Sequence, residues 1–127
     1  MSFLAPGAFA HEEITWSHDF DASLSQAQKE NKLVFVDFYT DWCGPCKLLD
    51  KETFKDAKFA DVINKDFIAV KLNAEQDGKA VAEKQDVSMY PTGIVFSAKG
   101  KVLKRFTGFM KADKYAAALK KVSKSGN

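Results

Sequence analysis

Between Lys32 and Tyr39 the chain reads Lys-Leu-Val-Phe-Val-Asp-Phe-Tyr, apolar at nearly every position. A half-exposed strand would alternate, so this run predicts a central strand covered on both faces. Phe67-Ile-Ala-Val-Lys-Leu72 repeats the pattern and predicts a second buried strand. After Pro91, Thr92–Phe96 and Lys101–Thr107 are separated by Ser97-Ala-Lys-Gly100, which predicts an antiparallel hairpin around a glycine-containing turn. The intervening segments show helical spacing. Ser23–Asn31 places Leu24, Ala27 and Gln28 on one face, with Asp21 or Ser23 as the cap. Cys43 to about Thr53 reads as a helix with Pro45 in its first turn, where a missing N–H costs little. Phe59–Asn64 predicts one or two further turns, and Asp77–Gln85 a short helix carrying Ala80, Val81 and Lys84. Ala112–Val122 closes the chain as an amphipathic helix with Tyr115, Ala118, Leu119 and Val122 inward. This order predicts an α/β fold, a mixed central sheet flanked by helices on both faces.

Composition agrees with one folded domain. The 127 residues leave no room for two, and eleven Phe and two Trp supply core without a disulfide scaffold. Nineteen basic residues against seventeen acidic ones give a net charge of +2, too mild an excess to argue for nucleic acid or an anionic membrane. The short run at Lys120, Lys121 and Lys124 reads as a solvated tail. No stretch of about 18 apolar residues offers a membrane span. The opening Met1–His11 contains Ala8-Phe9-Ala10, a small-x-small triplet of the kind that precedes secretory cleavage, followed by the polar Glu12 and Glu13. The charged start and most of the apolar core of a signal sequence are missing. Export with a shortened leader, to the periplasm or an equivalent compartment, is therefore the expectation, and a disordered N-terminus on a cytoplasmic protein the alternative.

The only cysteines lie in Trp42-Cys-Gly-Pro-Cys46-Lys47, directly after the first buried strand. A sulfur at a helix N-terminus meets unpaired backbone N–H groups and the positive end of the helix dipole, both of which favour thiolate. Cys43 is thus the expected nucleophile. Cys46, one turn further in and better shielded, is the expected resolving thiol, with Gly44 and Pro45 tuning how readily the sulfurs bridge. Competing readings are weaker. A loop this short gives a structural disulfide little to restrain. Zinc would need four ligands, and only His11 and His18, near the other end of the chain, could join the cysteines. Inert buried thiols would leave the spacing unexplained. Asp37, in the middle of an apolar strand, should have a raised pKa, because an unpaired buried carboxylate is costly.

Val36-Asp-Phe-Tyr-Thr-Asp-Trp-Cys-Gly-Pro-Cys-Lys47 resembles the active-site segment of thioredoxins, with the later motifs in the family's order over residues 32 to about 120. Cys46-Lys-Leu-Leu-Asp-Lys-Glu-Thr-Phe54 and Thr107-Gly-Phe-Met110 resemble more specifically the C-terminal, periplasmic domain of the membrane thiol:disulfide interchange reductase. The resemblance implies a thioredoxin-like domain over residues 21–124, with residues 1–20 an N-terminal extension. It implies that Asp37 accepts a proton behind Cys46 and that Lys71 is its neighbour. It implies that Tyr90-Pro91-Thr92 is a cis-proline loop whose backbone offers strand-like hydrogen bonds to an extended substrate. Trp42 is expected to shield one side of the sulfurs, and Gly108 to permit close backbone approach.

The function so implied is reduction of protein disulfides by dithiol–disulfide exchange, since Gly-Pro between the cysteines and a buried acid resemble reductants. A disulfide isomerase, or a redox-independent binding or chaperone module, are the alternatives. No Gly-rich nucleotide motif appears, so no cofactor is expected beyond the Cys43–Cys46 pair, and electrons must come from an upstream dithiol reductase, which could be membrane-bound. With no dimerisation segment, a monomer is expected.

Overall fold

The computed structural model describes residues 12–126. Its four-stranded sheet has the order β2-β1-β3-β4, built from β1 (Leu33–Tyr39), β2 (Phe67–Asn73), β3 (Thr92–Phe96) and β4 (Val102–Thr107). β1 runs parallel to β2 and antiparallel to β3, and β3–β4 is the antiparallel hairpin. The helices are α1 (Phe20–Glu30), α2 (Gly44–Leu48), α3 (Ala57–Asp66), α4 (Lys79–Lys84) and α5 (Ala112–Ser125). Among the described residues no helix is long and apolar enough to cross a membrane. The N-terminal extension's first eleven residues lie outside the described region.

The uninterrupted apolar run of β1 has a direct cause, because both faces of the sheet are covered. On one face Leu33, Phe35 and Ala69 join Phe59, Ile63, Tyr115 and Leu119 under α3 and α5. On the other, Val34, Val36, Phe38 and Val70 pack with Ala27 of α1 and Ala82 of α4. Gly93 marks where the first layer is tightest: a Cβ there would lie 3.1 Å from the Phe35 ring and would collide with the Tyr115 hydroxyl.

Several element limits differ from the sequence reading for local reasons. α1 begins at Phe20, and its cap is Asp19 rather than Asp21 or Ser23; the Asp19 carboxylate accepts the Ala22 N–H at 3.0 Å. The early start lets the Phe20 ring pack edge-on against Phe96 at 4.9 Å. Asn31 ends the helix in the left-handed region at φ 56°, one of the few places a non-glycine residue tolerates it. α3 is a ten-residue helix, longer than predicted, because Asp56 caps it with hydrogen bonds to the N–H groups of Lys58 and Phe59. The expected helix from Cys43 to Thr53 is α2 followed by a π-turn over Leu49–Thr53. α5 runs on to Ser125, so Lys120, Lys121 and Lys124 sit on its exposed side and form no tail. On that helix Ala116 is buried, whereas Ala118 and Val122 are half-buried.

Candidate active site

β1 delivers the chain to a short turn, Thr40-Asp41-Trp42, and Cys43 follows as the N-cap of α2. Its backbone is extended (φ −84°, ψ 109°), and its Sγ accepts the Cys46 N–H at 3.1 Å. A sulfur that already accepts a first-turn N–H is placed to be stabilised as thiolate. Pro45 sits in that first turn, and Gly44 has open space around it. Cys43 and Cys46 form a disulfide. The two residues are equally covered, each 3% exposed. Shielding therefore does not separate nucleophile from resolving thiol in the oxidised protein; position at the helix start does.

β1, the strand that leads into this turn, carries one member of a buried charge pair. Asp37 and Lys71 are register partners across β1 and β2, each the fifth residue of its strand. Asp37 is 1% exposed, and its Oδ2 accepts from Lys71 Nζ at 2.7 Å. Its Oδ1 and the Thr40 hydroxyl are buried without a hydrogen-bond partner among the described residues. Burial pushes the Asp37 carboxyl above the usual range; attraction to Lys71 opposes this, and the nearby Asp50 adds to the upward push. Burial also disfavours charge on Lys71, but Asp37 and Asp50 together outweigh it and raise the ammonium's pKa. The lysine thus turns inward, although strand lysines often face solvent.

Asp50 was not singled out from the sequence. It lies in the π-turn, and its Oδ1 meets Lys71 Nζ at 2.5 Å. Its four-residue spacing from Cys46 would have placed both on one side of a helix, and that was the available signal. Also unforeseen is Trp16, from the segment before α1, whose ring lies 4.8 Å from Lys71 Nζ. Nothing in its local pattern pointed there.

The rim is built by other loops. Trp42 is 66% exposed, and its indole N–H donates to the Glu75 carboxylate at 3.1 and 3.2 Å. It meets the Tyr90 ring edge-on at 5.9 Å. Glu75 is held by Asn73, whose side-chain oxygen accepts the Glu75 N–H at 2.9 Å and whose amide donates to Asp41 at 3.1 Å. The Tyr90–Pro91 bond is cis. Pro91 is buried, and its carbonyl accepts the Gly108 N–H at 2.8 Å. At Gly108 a Cβ would meet no atom of the described residues within 4 Å, and its φ of +89° is the region that favours glycine. Among the described residues no cluster of His, Cys, Asp and Glu could hold a metal ion.

Comparison with known proteins gives these features a context. The family model described as a thioredoxin-like domain matches residues 20–123. The thiol:disulfide interchange protein DsbD of Pseudoalteromonas atlantica is 34% identical over 109 residues, 82% of this chain but 18% of that protein. Thioredoxin of Mycoplasmoides gallisepticum is 32% identical over 78% of this chain and 93% of its own length. The oxidised C-terminal domain of Neisseria meningitidis DsbD superposes with a TM-score of 0.71 at 23% identity, covering 84% of this chain and 98% of that one.

Proposed function

The chain belongs to the thioredoxin-like family and is a thiol–disulfide oxidoreductase, and from that premise we propose that it runs in the reducing direction on protein disulfides. The observation that carries the proposal is the stacking of two devices. Cys43 Sγ sits at a helix start, accepting the Cys46 N–H, and Asp37 is a buried carboxyl with one oxygen unpartnered among the described residues. The first favours a thiolate on Cys43; the second offers a proton acceptor of raised pKa inside the fold.

In this scheme the Cys43 thiolate attacks one sulfur of a substrate disulfide. The substrate S–S bond breaks, its departing sulfur takes a proton, and a mixed disulfide to Cys43 forms. Cys46 then loses its proton to Asp37 and attacks Cys43 Sγ. The second substrate sulfur leaves as thiolate and takes a proton from solvent, and Cys43–Cys46 closes, two electrons having passed to the substrate. Lys71 moderates the carboxylate formed at Asp37. Gly44 and Pro45 shape the turn joining the sulfurs, and Gly108 anchors the Pro91 carbonyl. Tyr90 and Pro91, with the Trp42 ring edge-on against Tyr90, are the surface against which an extended substrate lies. Regeneration needs an upstream dithiol. DsbD-type relatives support a partner of that kind and an exported location, but this chain spans less than a quarter of the first curated relatives it matches.

Equilibration of Cys43–Cys46 against glutathione or a reference thioredoxin tests the direction. A reductant is expected near thioredoxin's roughly −270 mV, whereas a value of about −120 to −180 mV would mark an oxidase or isomerase. Failure of the pair to cycle at all would favour a binding module.

A further inference from the structure

Lys71 is enclosed more completely than an ion pair requires. Its ammonium lies 4.8 Å from the Trp16 ring centroid, 4.8 Å from that of Phe54 and 5.2 Å from that of Tyr39. Two of its three donors go to Asp37 and Asp50. A lysine ammonium is strongly hydrated, and when it is buried its remaining surroundings must replace water. Ring faces do so through their negative quadrupole without competing for the hydrogen bonds.

Trp16 is held in place by its neighbour Ser17, which forms a parallel bridge with Val70 along one edge of β2. Ser17 N–H donates to the Ala69 carbonyl at 2.9 Å, and Lys71 N–H donates to the Ser17 carbonyl at 2.8 Å. His18 Nδ1 lies 3.0 Å from the Lys71 carbonyl oxygen. The Trp16 ring itself packs on Phe54 at 4.9 Å and Phe35 at 6.4 Å. The segment that clamps the backbone of Lys71 therefore also covers its side chain.

We propose that Trp16 is a positioning residue for thiol–disulfide exchange: its indole holds the Lys71 ammonium against Asp37, so the segment before α1 sets the pH at which Asp37 releases its proton. The proposal rests on the reading of Asp37 as acceptor of the Cys46 proton. Without the ring, Lys71 is free to lean toward Asp50, whose side chain is 43% exposed, and Asp37 loses part of its counter-charge. The titratable groups around this pair come from every side: Tyr39 on β1, with Asp41 and Asp77 acting on it, Asp50 after α2, His18 at the Lys71 carbonyl, and Tyr115 on α5, which feels the charge of Asp37.

The test is a carbon-13 NMR titration of the Asp37 carboxyl in the oxidised protein, where the cysteines do not titrate and turnover plays no part. Trp16→Leu is expected to move the midpoint upward by about one pH unit, and Trp16→Phe, which keeps a ring, by about 0.3 or less. In a Lys71→Met background Trp16→Leu should add no shift. An unchanged midpoint in Trp16→Leu, or the same shift with Lys71 absent, overturns the proposal. Should Trp16→Leu fail to fold, the wild-type protein still decides: the Lys71 ε-methylene protons are expected upfield from ring currents, and ordinary positions for them overturn it. The pH profile for resolution of a Cys43 mixed disulfide should move with the carboxyl. If the carboxyl moves and the rate profile does not, the acceptor role of Asp37 fails, Trp16 has no part in exchange, and its contact with Lys71 is structural only.

Discussion

Replacing Lys71 with methionine removes the ammonium from a carboxyl that has no other hydrogen-bond partner among the described residues. Removing one member of a buried pair commonly costs about 3–5 kcal/mol, because the other charge is left uncompensated. Asp37 can escape part of that cost by keeping its proton, and this makes the loss depend on pH. Its folded-state pKa is raised above the unfolded value of about 3.9. The stability contributed by such a group is complete below the unfolded pKa and is lost as pH rises through the folded one. Between the two, the folded protein holds a proton that the unfolded chain has released, and stability falls by about 1.4 kcal/mol per pH unit. In the wild type, attraction to Lys71 closes that window early. In Lys71→Met the window extends upward, so stability should continue to fall at about 1.4 kcal/mol per unit after the wild-type curve has levelled.

Urea unfolding of the oxidised protein in half-unit steps from pH 5 to 8.5 reads this directly. Disulfide-bonded cysteines do not titrate, and the tyrosines with resolved shifts, Tyr39 and Tyr115, are moved upward and out of the range. Lys71 is itself raised, so its own contribution persists through these pH values and is lost only above them. The double variant Asp37→Asn, Lys71→Met should give a flat difference from wild type where wild type is level, since it has no proton to retain. If the Lys71→Met curve runs parallel to wild type over the whole range, Lys71 does not govern the titration of Asp37 and the reasoning fails.

Cys46→Ser removes the resolving thiol, so incubation with a disulfide-bonded peptide should accumulate a mixed disulfide at Cys43, visible by intact mass; release at the wild-type rate would point to a different resolving group. Gly93→Ala drives a methyl group into the Tyr115 hydroxyl and the Phe35 ring, with an expected loss of about 1–3 kcal/mol in urea unfolding; an unchanged midpoint would mean that this layer yields freely. Gly108→Ala meets no atom but must adopt a φ of +89°, at about 1–2 kcal/mol; the cost should appear in stability, and a wild-type midpoint would show that the loop simply readjusts.

What could be read from the sequence divides along a physical line. β1 and β2 were visible because burial on both sides suppresses polar residues, so each strand is a block of apolar letters. That same suppression made Asp37 and Lys71 conspicuous as the charged residues in those blocks. The cysteine pair was visible because its chemistry is local: four residues and a helix start suffice to build it. Limits set by side-chain capping were less legible. Asp19 lies outside the periodic stretch it caps, and the π-turn after Leu48 has no periodic signature that separates it from a continuing α-helix.

The residues that were missed share a different property, in that each acts on a group far away in the chain. Asp50 reaches Lys71 across 21 positions and Glu75 reaches Trp42 across 33. Sequence spacing encodes which side of an element a residue faces, but not what the facing element brings to meet it. A charge placed in an apolar strand thus predicts that compensation exists without predicting its source. Here the compensation comes from four places: β1, β2, the turn after α2 and the segment before α1. The last has the weakest sequence signal, a single tryptophan ahead of a helix cap, yet its ring lies as near the ammonium as the Phe54 ring of the core. A buried carboxyl that must exchange a proton needs a counter-charge that is fixed but not so strongly bound that the proton is never held. A cation shared between two carboxylates and capped by ring faces meets both requirements. Either carboxylate alone would leave Lys71 with more freedom to turn toward solvent, and a third hydrogen-bonding anion would draw it away from Asp37.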